Sequence, residues 1–152
     1  MVETTTSPAA SFAFEDLHLG QEAGFEALIT AADVDRFAEL SGDASPLHTD
    51  PAFAAARGFG DRVVHGAYLA ALASRLCGMI LPGRNGLLLA MSLSFAAPTL
   101  VGTRVTVSGT VDQLSHGVRS AVVKLAIVET MQRTPLARGR LTVGFTEDRT
   151  HG

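Results

Sequence analysis

The stretch VVHGAYLAALASRLCGMILPG, residues 63–83, constrains the fold of this chain more than any other. From Gly66 to Leu81 it is apolar on every face except at Ser74 and Arg75, and Pro82-Gly83 ends it. A helix apolar all round is buried in protein when it is too short to cross a membrane. The chain then changes period. GLLLAMSLSFAAP, TRVTVSGTVDQL, VRSAVVKLAIVETM and LARGRLTVGFTE are alternating or β-branched runs separated by TLVG, SHG and QRTP, which predicts four consecutive antiparallel strands. A buried helix followed by such a meander requires a curved sheet wrapped around one central helix. The fold class is α+β.

The region before that helix is more mixed. The first ten residues are polar or small and read as a loose tail. FAFEDLHLGQEAGFEALIT, with Gly20 and Gly24, predicts two short strands around a turn. Thr30 and Asp33 have the spacing of a capping box. Val34, Phe37 and Leu40 recur at helical spacing and Gly42 supplies a stop, so a helix is expected over 31–41. Asp50-Pro51 offers a cap and a proline at the first helical position for a second short helix reaching Arg57. No repeat or linker divides the 152 residues, which are expected to form a single domain.

Composition narrows the function. With 47% apolar and 18% charged residues the chain is globular, and 12 Lys+Arg against 15 Asp+Glu give no basic stripe for a nucleic acid. An anionic ligand must be met locally, by a few arginines (Arg57, Arg62, Arg84 and Arg104 are candidates) or by a helix N-terminus. The single cysteine, Cys77, lies in an apolar run and reads as a buried, inert thiol. Walker, Rossmann and zinc spacings are absent, so neither a metal nor a redox cofactor is expected. The N-terminus lacks a basic region followed by a long apolar one, and no span fits a membrane without Arg or Gly breaks, so a cytoplasmic protein is expected.

Chemistry concentrates in LSGDASPLHTDPAF, residues 40–53. Alone, Asp43 reads as a turn residue and His48 as a structural imidazole. Together they suit proton transfer, because histidine titrates near neutrality and a nearby carboxylate orients its ring. Pro46 stiffens the segment between them and pushes Ser45 towards an extended conformation. Downstream, His65-Gly66 opens the buried helix, where free N–H groups and the helix dipole favour negative charge and glycine admits a ligand close to the backbone. Such an N–H can hold a thioester oxygen as it becomes enolate-like. A plain helix start explains the same residues equally well.

FAELSGDASPLHTDPAFA, then VVHGAYLAALASRL about twenty residues later, then SLSFAAPTLVGTRVTVSGTV, closely resemble the MaoC-like family of (R)-specific enoyl-CoA hydratases. The resemblance runs from about Phe14 to Thr146. It implies the hotdog fold, a sheet wrapped around a central helix. It also implies addition of water across a trans-2-enoyl thioester to give a (3R)-3-hydroxyacyl product, or the reverse. Asp43 would be the base that activates the water, and His48 would share that water and help return a proton to the α-carbon. The Gly66 N–H would polarise the thioester carbonyl. Ser74 matches a serine near the family's active site, although a hydroxyl bonded to its own helix is an equal reading. Ser45 stands where the family's motif carries asparagine, a longer side chain with both a donor and an acceptor. His65 and Ser45 complete the expected substrate-binding set. Coenzyme A enters as part of the substrate, an acyl-carrier-protein thioester being the alternative carrier.

Two further readings compete. A hotdog thioesterase would need a carboxylate aimed at the thioester carbonyl. A catalytically weak acyl-thioester-binding protein is motivated by Ser45 alone. A small hotdog leaves its sheet edges exposed, and edge-to-edge pairing removes that liability, so a homodimer is expected. His18, His116 and His151 sit near turns or the terminus and read as bystanders.

Overall fold

The computed structural model describes residues 7–148. Of the tail expected over the first ten residues, 1–6 lie outside the described residues. Ala10 is docked: its N–H donates to the Met79 carbonyl at 2.9 Å and its carbonyl accepts from Arg84 N–H at 2.8 Å. His151 also lies outside the described residues.

The elements run β1 (Glu22–Leu28), α1 (Ala31–Ser41), α2 (Pro46–Thr49), α3 (Pro51–Ala56), α4 (Gly66–Arg75), β2 (Gly86–Phe95), β3 (Arg104–Ser115), β4 (Ser120–Glu129) and β5 (Pro135–Phe145). Of the two strands expected before α1, only β1 forms. The earlier segment makes a 3-10 turn over Phe14–Asp16. The Asp16 carboxylate accepts from Ala13 N–H at 2.8 Å, and Phe14 and Leu17 are buried. The Thr30/Asp33 capping box forms as expected, and Gly42 ends α1 with φ 77°. Leu40 is 85% exposed; Ala38 takes the buried position instead.

The sheet order is β1-β3-β4-β5-β2, and the paired strands are antiparallel. Here the expected meander needs correction. β3, β4 and β5 are successive neighbours, but β2 pairs with β5 at the far edge rather than with β3. The segment from Ala96 to Thr103 therefore has to cross from the β2 edge, past β5 and β4, to β3. It passes the start of α4, where Val64 N–H donates to the Thr99 carbonyl at 2.7 Å and Val101 N–H donates to the Arg62 carbonyl at 3.0 Å. This crossover supplies one wall of the candidate site.

The inner face of the sheet contributes Val105, Val107, Val123, Leu125, Ile127, Leu141 and Val143 to the core, packed with Leu69, Leu72, Ala73, Leu76 and Cys77 of the central helix. Each fully buried aliphatic side chain stabilises the fold by about 1.5–3 kcal/mol. Gly109 in β3 admits this packing: a Cβ there would stand 2.7 Å from Leu76 Cδ2 and 2.8 Å from Val123 Cγ1. The helix differs from expectation in two ways. It widens to a π-helical turn over Leu76–Ile80, where Leu81 N–H reaches the Leu76 carbonyl at 2.8 Å. It is also buried on one side only, because the sheet covers a single face; Ala67, Ala71, Ser74 and Gly78 are exposed.

Candidate active site

His48 is placed by two proline-started turns in succession. Ser45-Pro46 opens α2, and Asp50-Pro51 opens α3, where the Asp50 carboxylate accepts from Ala52 and Phe53 N–H groups at 2.9 and 3.3 Å. Proline at the first helical position forfeits no helical bond and has its φ already set. Pro46 thus starts a helix rather than bracing an extended loop, and His48 is the third residue of that helix.

The His48 ring is 15% exposed, and its Nδ1 lies 2.6 Å from the Val63 carbonyl. A carbonyl only accepts, so Nδ1 carries the hydrogen and the neutral ring keeps its lone pair on Nε2. That lone pair faces Asp43 Oδ2 at 4.0 Å. The gap is too long for a direct hydrogen bond. It suits one water, about 2.8 Å from each atom, that donates a hydrogen to both acceptors.

Asp43 follows the left-handed cap of α1. Its N–H donates to Ser41 Oγ at 3.1 Å and its Oδ1 accepts from Ser45 N–H at 3.3 Å, leaving Oδ2 for the gap. Ser45 acts here through its backbone; its hydroxyl makes no hydrogen bond among the described residues, and the residue is exposed.

His65 caps the N-terminal end of α4 and is 1% exposed. Its Nε2–H donates to the Asp43 carbonyl at 2.8 Å. The ring stacks on His48 with centroids 3.9 Å apart and planes 26° from parallel, while Phe37 meets it edge-on at 4.9 Å. His65 is expected from sequence to meet substrate, but the structure places it behind the pair, away from the cavity. Arg62 is also turned inward. Its guanidinium donates to Asp35 Oδ1 at 2.6 Å and to the His48 carbonyl at 3.1 Å, so it is not free for a phosphate.

Beside His48 lies a cavity of about 340 Å³ whose walls include His48, Val63, Gly66, Leu69, Phe95 and Thr99; Asp43 stands behind His48 rather than in the wall. Gly66 is the first residue of α4, and its N–H has no hydrogen-bond partner among the described residues. A Cβ at Gly66 would stand 2.9 Å from Phe95 Cζ, so glycine is what lets the aromatic wall close against the helix start. A base pair, an unspent N–H donor and an apolar cavity thus converge.

Asp43, His48 and His65 present ligand atoms within 4.8 Å of one another. Zinc needs donors converging on one point at about 2.0–2.1 Å. The two imidazoles are stacked with their planes only 26° apart, so in-plane lone pairs of both do not readily meet at one point, and the cluster fits a water between acid and base better than an ion. Ser74 lies two turns beyond Gly66 on the exposed side of α4. It neither lines the cavity nor bonds to the preceding turn among the described residues. Arg57 lies 4.6 Å over the Phe53 ring, while Arg84 and Arg104 are exposed. Burial, and then the charge of Asp33, push the Tyr68 hydroxyl above its usual range. Burial pushes the Cys77 thiol up, which keeps it protonated and unreactive.

Three contributors carry little sequence signal. The Val63 carbonyl that fixes the His48 tautomer is backbone. Phe95 and Thr99 lie in SLSFAAPT, which reads as a strand and its exit. Thr99 is 3% exposed, and its Oγ1 has no hydrogen-bond partner among the described residues.

A family described as MaoC like domain matches residues 16–144, which include each of these residues. The chain belongs to the MaoC-like dehydratase family. Within that family it is similar to the (R)-specific enoyl-CoA hydratase of Aeromonas caviae, 48% identical over 92 residues, or 60% of this chain and 69% of that protein. It is also similar to a 3-hydroxybutyryl-CoA dehydratase of Methylorubrum extorquens, 40% identical over 101 residues, 66% of this chain and 64% of that one. These matches span about two thirds of the relatives' lengths. Among solved structures, the A. caviae (R)-hydratase involved in PHA biosynthesis superposes with a TM-score of 0.82 at 39% identity, covering 87% of this chain and 99% of that one. An R-hydratase of Pseudomonas aeruginosa gives 0.86 at 26% identity, covering 92% and 89%. The MaoC-like chain has the hotdog fold of these structures: a five-stranded antiparallel sheet around a central helix.

Proposed function

We propose that this protein is a hydro-lyase that adds water to trans-2-enoyl-CoA to give (3R)-3-hydroxyacyl-CoA, and catalyses the reverse dehydration. The observation that carries this reading is the 4.0 Å gap between two acceptors, His48 Nε2 and Asp43 Oδ2, at an apolar cavity. A single water donating to both is oriented with its oxygen lone pairs towards the substrate. Asp43 takes the proton as that oxygen bonds to the β-carbon and the alkene electrons move towards the thioester. The Gly66 N–H stabilises the enolate-like oxygen. The proton on Asp43 is then returned to the α-carbon, while His48 accepts the hydrogen of the new β-hydroxyl and helps hold the pair in place for the transfer. Oxygen and hydrogen both come from one side of the substrate, so they add to the same face.

No cofactor beyond the thioester carrier is needed, since the chain supplies the base and the oxyanion donor and the added water supplies the proton. The carrier is coenzyme A or an acyl carrier protein, and the protein is cytoplasmic. The working unit is a homodimer. Its support is the edge strand β2 with Leu87 and Leu89 more than half exposed, alongside the exposed Ala67, Ala71 and Ser74 of α4. A dimer over that surface brings Ser74 under a partner and closes the open flank of the cavity.

Crotonyl-CoA incubated with the protein in D₂O tests the reaction. The expected product is (3R)-3-hydroxybutyryl-CoA with one deuterium at the α-carbon. Release of free thiol without hydration would make the protein a thioesterase. Binding without either product, across short, medium and branched enoyl thioesters on both carriers, would make it an acyl-binding protein. Size-exclusion chromatography at micromolar concentration tests the dimer; a monomer would contradict it.

A further inference from the structure

We propose that His65 is the positioning residue that holds the Asp43/His48 pair in register with the Gly66 N–H. The inference rests on the hydratase reading. Three groups must share one geometry for water addition: the Asp43 carboxylate, the His48 lone pair and the Gly66 N–H. They come from the loop after α1, from α2 and from α4.

Asp43 is the least secured of the three. Its side chain is 55% exposed, and its bonds to Ser41 Oγ and Ser45 N–H reach only two residues away along the chain. The Asp43 carbonyl is bonded outside that loop by His65 Nε2, from a residue 22 positions on. The same ring lies flat against His48 at 3.9 Å. Gly66 is the next residue in the chain. One imidazole therefore touches the base's backbone and its partner's ring, and is covalently joined to the oxyanion donor.

The local chemistry leaves His65 one arrangement. Nε2 must carry the hydrogen to meet a carbonyl, so the neutral ring has its lone pair on Nδ1, which is buried and has no hydrogen-bond partner among the described residues. Phe37 closes the ring's remaining approach edge-on. A ring so enclosed cannot reach substrate in the cavity, and among the described residues its one polar bond is that to Asp43. An orphaned nitrogen is a poor choice for packing alone. Phenylalanine would fill the site without one, but could not donate to Asp43.

His65→Phe keeps the stacking and removes the donor, whereas His65→Gln places an amide N–H near the position of Nε2. For His65→Phe we expect kcat for crotonyl-CoA to fall about 10²-fold, with KM changed less than about twofold, because misplacing a catalytic group by an ångström costs on that order. His65→Gln should recover much of that loss. Amide exchange at Asp43 and Ser45 should quicken in His65→Phe while global melting stays close to wild type. This readout needs no turnover, so it separates a failed positioning role from a failed hydratase reading. Wild-type kcat and unchanged loop exchange in a folded His65→Phe would overturn the proposal. So would a rise in KM at constant kcat, which would make His65 a substrate ligand. If His65→Phe does not fold, the folded His65→Gln decides: near-wild-type kcat and loop protection support the proposal, and a KM effect alone overturns it.

Discussion

The Val63 carbonyl accepts a hydrogen bond from His48 Nδ1 at 2.6 Å, and this one contact decides which nitrogen of the ring can accept a hydrogen from the water. It leaves the Nε2 lone pair facing Asp43, so that two acceptors share one gap. The arrangement links backbone topology to chemistry. The 62–65 segment runs beside α2, donating Val63 N–H to the Leu47 carbonyl at 3.1 Å and receiving the His48 ring in return.

The serine at position 45 should be a neutral variation. Its hydroxyl makes no hydrogen bond among the described residues, while its N–H and carbonyl hold Asp43 and the turn of α2. Ser45→Ala should therefore keep turnover within about threefold of wild type and change the melting temperature little, in line with an exposed substitution. A loss of about 10²-fold would show that the hydroxyl serves the water directly.

Gly66→Ala should damage the site through Phe95. The added Cβ would lie 2.9 Å from Phe95 Cζ, so the ring must move and the cavity wall moves with it. We expect turnover to fall about tenfold, with partial recovery when Phe95→Leu is added, because the two side chains compete for one space. Identical kinetics in wild type and Gly66→Ala would contradict this account of the glycine.

Arg62 is expected to matter for stability before it matters for substrate. It is buried, paired with a mostly exposed Asp35 and bonded to the His48 carbonyl. Arg62→Ala should cost about 1–3 kcal/mol, because the His48 carbonyl loses a charged donor and the aliphatic stem no longer packs. Asp35→Asn should cost much less. Weaker coenzyme A binding with unchanged stability in Arg62→Ala would restore the phosphate role suggested by composition.

Acid stability should depend in part on Asp112. The hydrogen bond from Arg140, reinforced by Lys124, holds its carboxyl below the usual range. A carboxyl lowered in the folded state contributes stability above its unfolded value and loses it as pH falls through the folded value. Asp112→Asn should thus melt below wild type at neutral pH, and the two should converge in strongly acidic buffer. A constant difference at all pH values would contradict the ion-pair explanation.

The sequence carried the elements better than their adjacency. The all-round apolar run at Gly66–Leu81 and the period-2 runs that follow do form a helix and strands, because burial imposes those periods locally. That β2 pairs with β5 is not local: nothing within GLLLAMSLSF distinguishes the two neighbours it might choose. The apolar outer residues Ala67 and Ala71 mark a face that this single sheet leaves uncovered. That Asp43 and His48 come together was legible from residue type and spacing. The bond from His65 to Asp43 was not, since a hydrogen bond to a backbone carbonyl 22 residues away has no motif. α2 was legible too: Ser45-Pro46, like Asp50-Pro51 five residues later, sets a residue type common at helix starts before a proline.

The most direct test is the loss of enoyl absorbance when purified protein meets crotonyl-CoA, with Asp43→Asn measured alongside. Asp43→Asn is nearly isosteric and alters a mostly exposed side chain, so it should fold as wild type does while losing about 10²–10⁴ in turnover, the usual contribution of a positioned base. Rapid (3R) product from the wild type, with that loss in the variant, is the predicted result. Equal rates for the two proteins would contradict the assignment of Asp43 as the base.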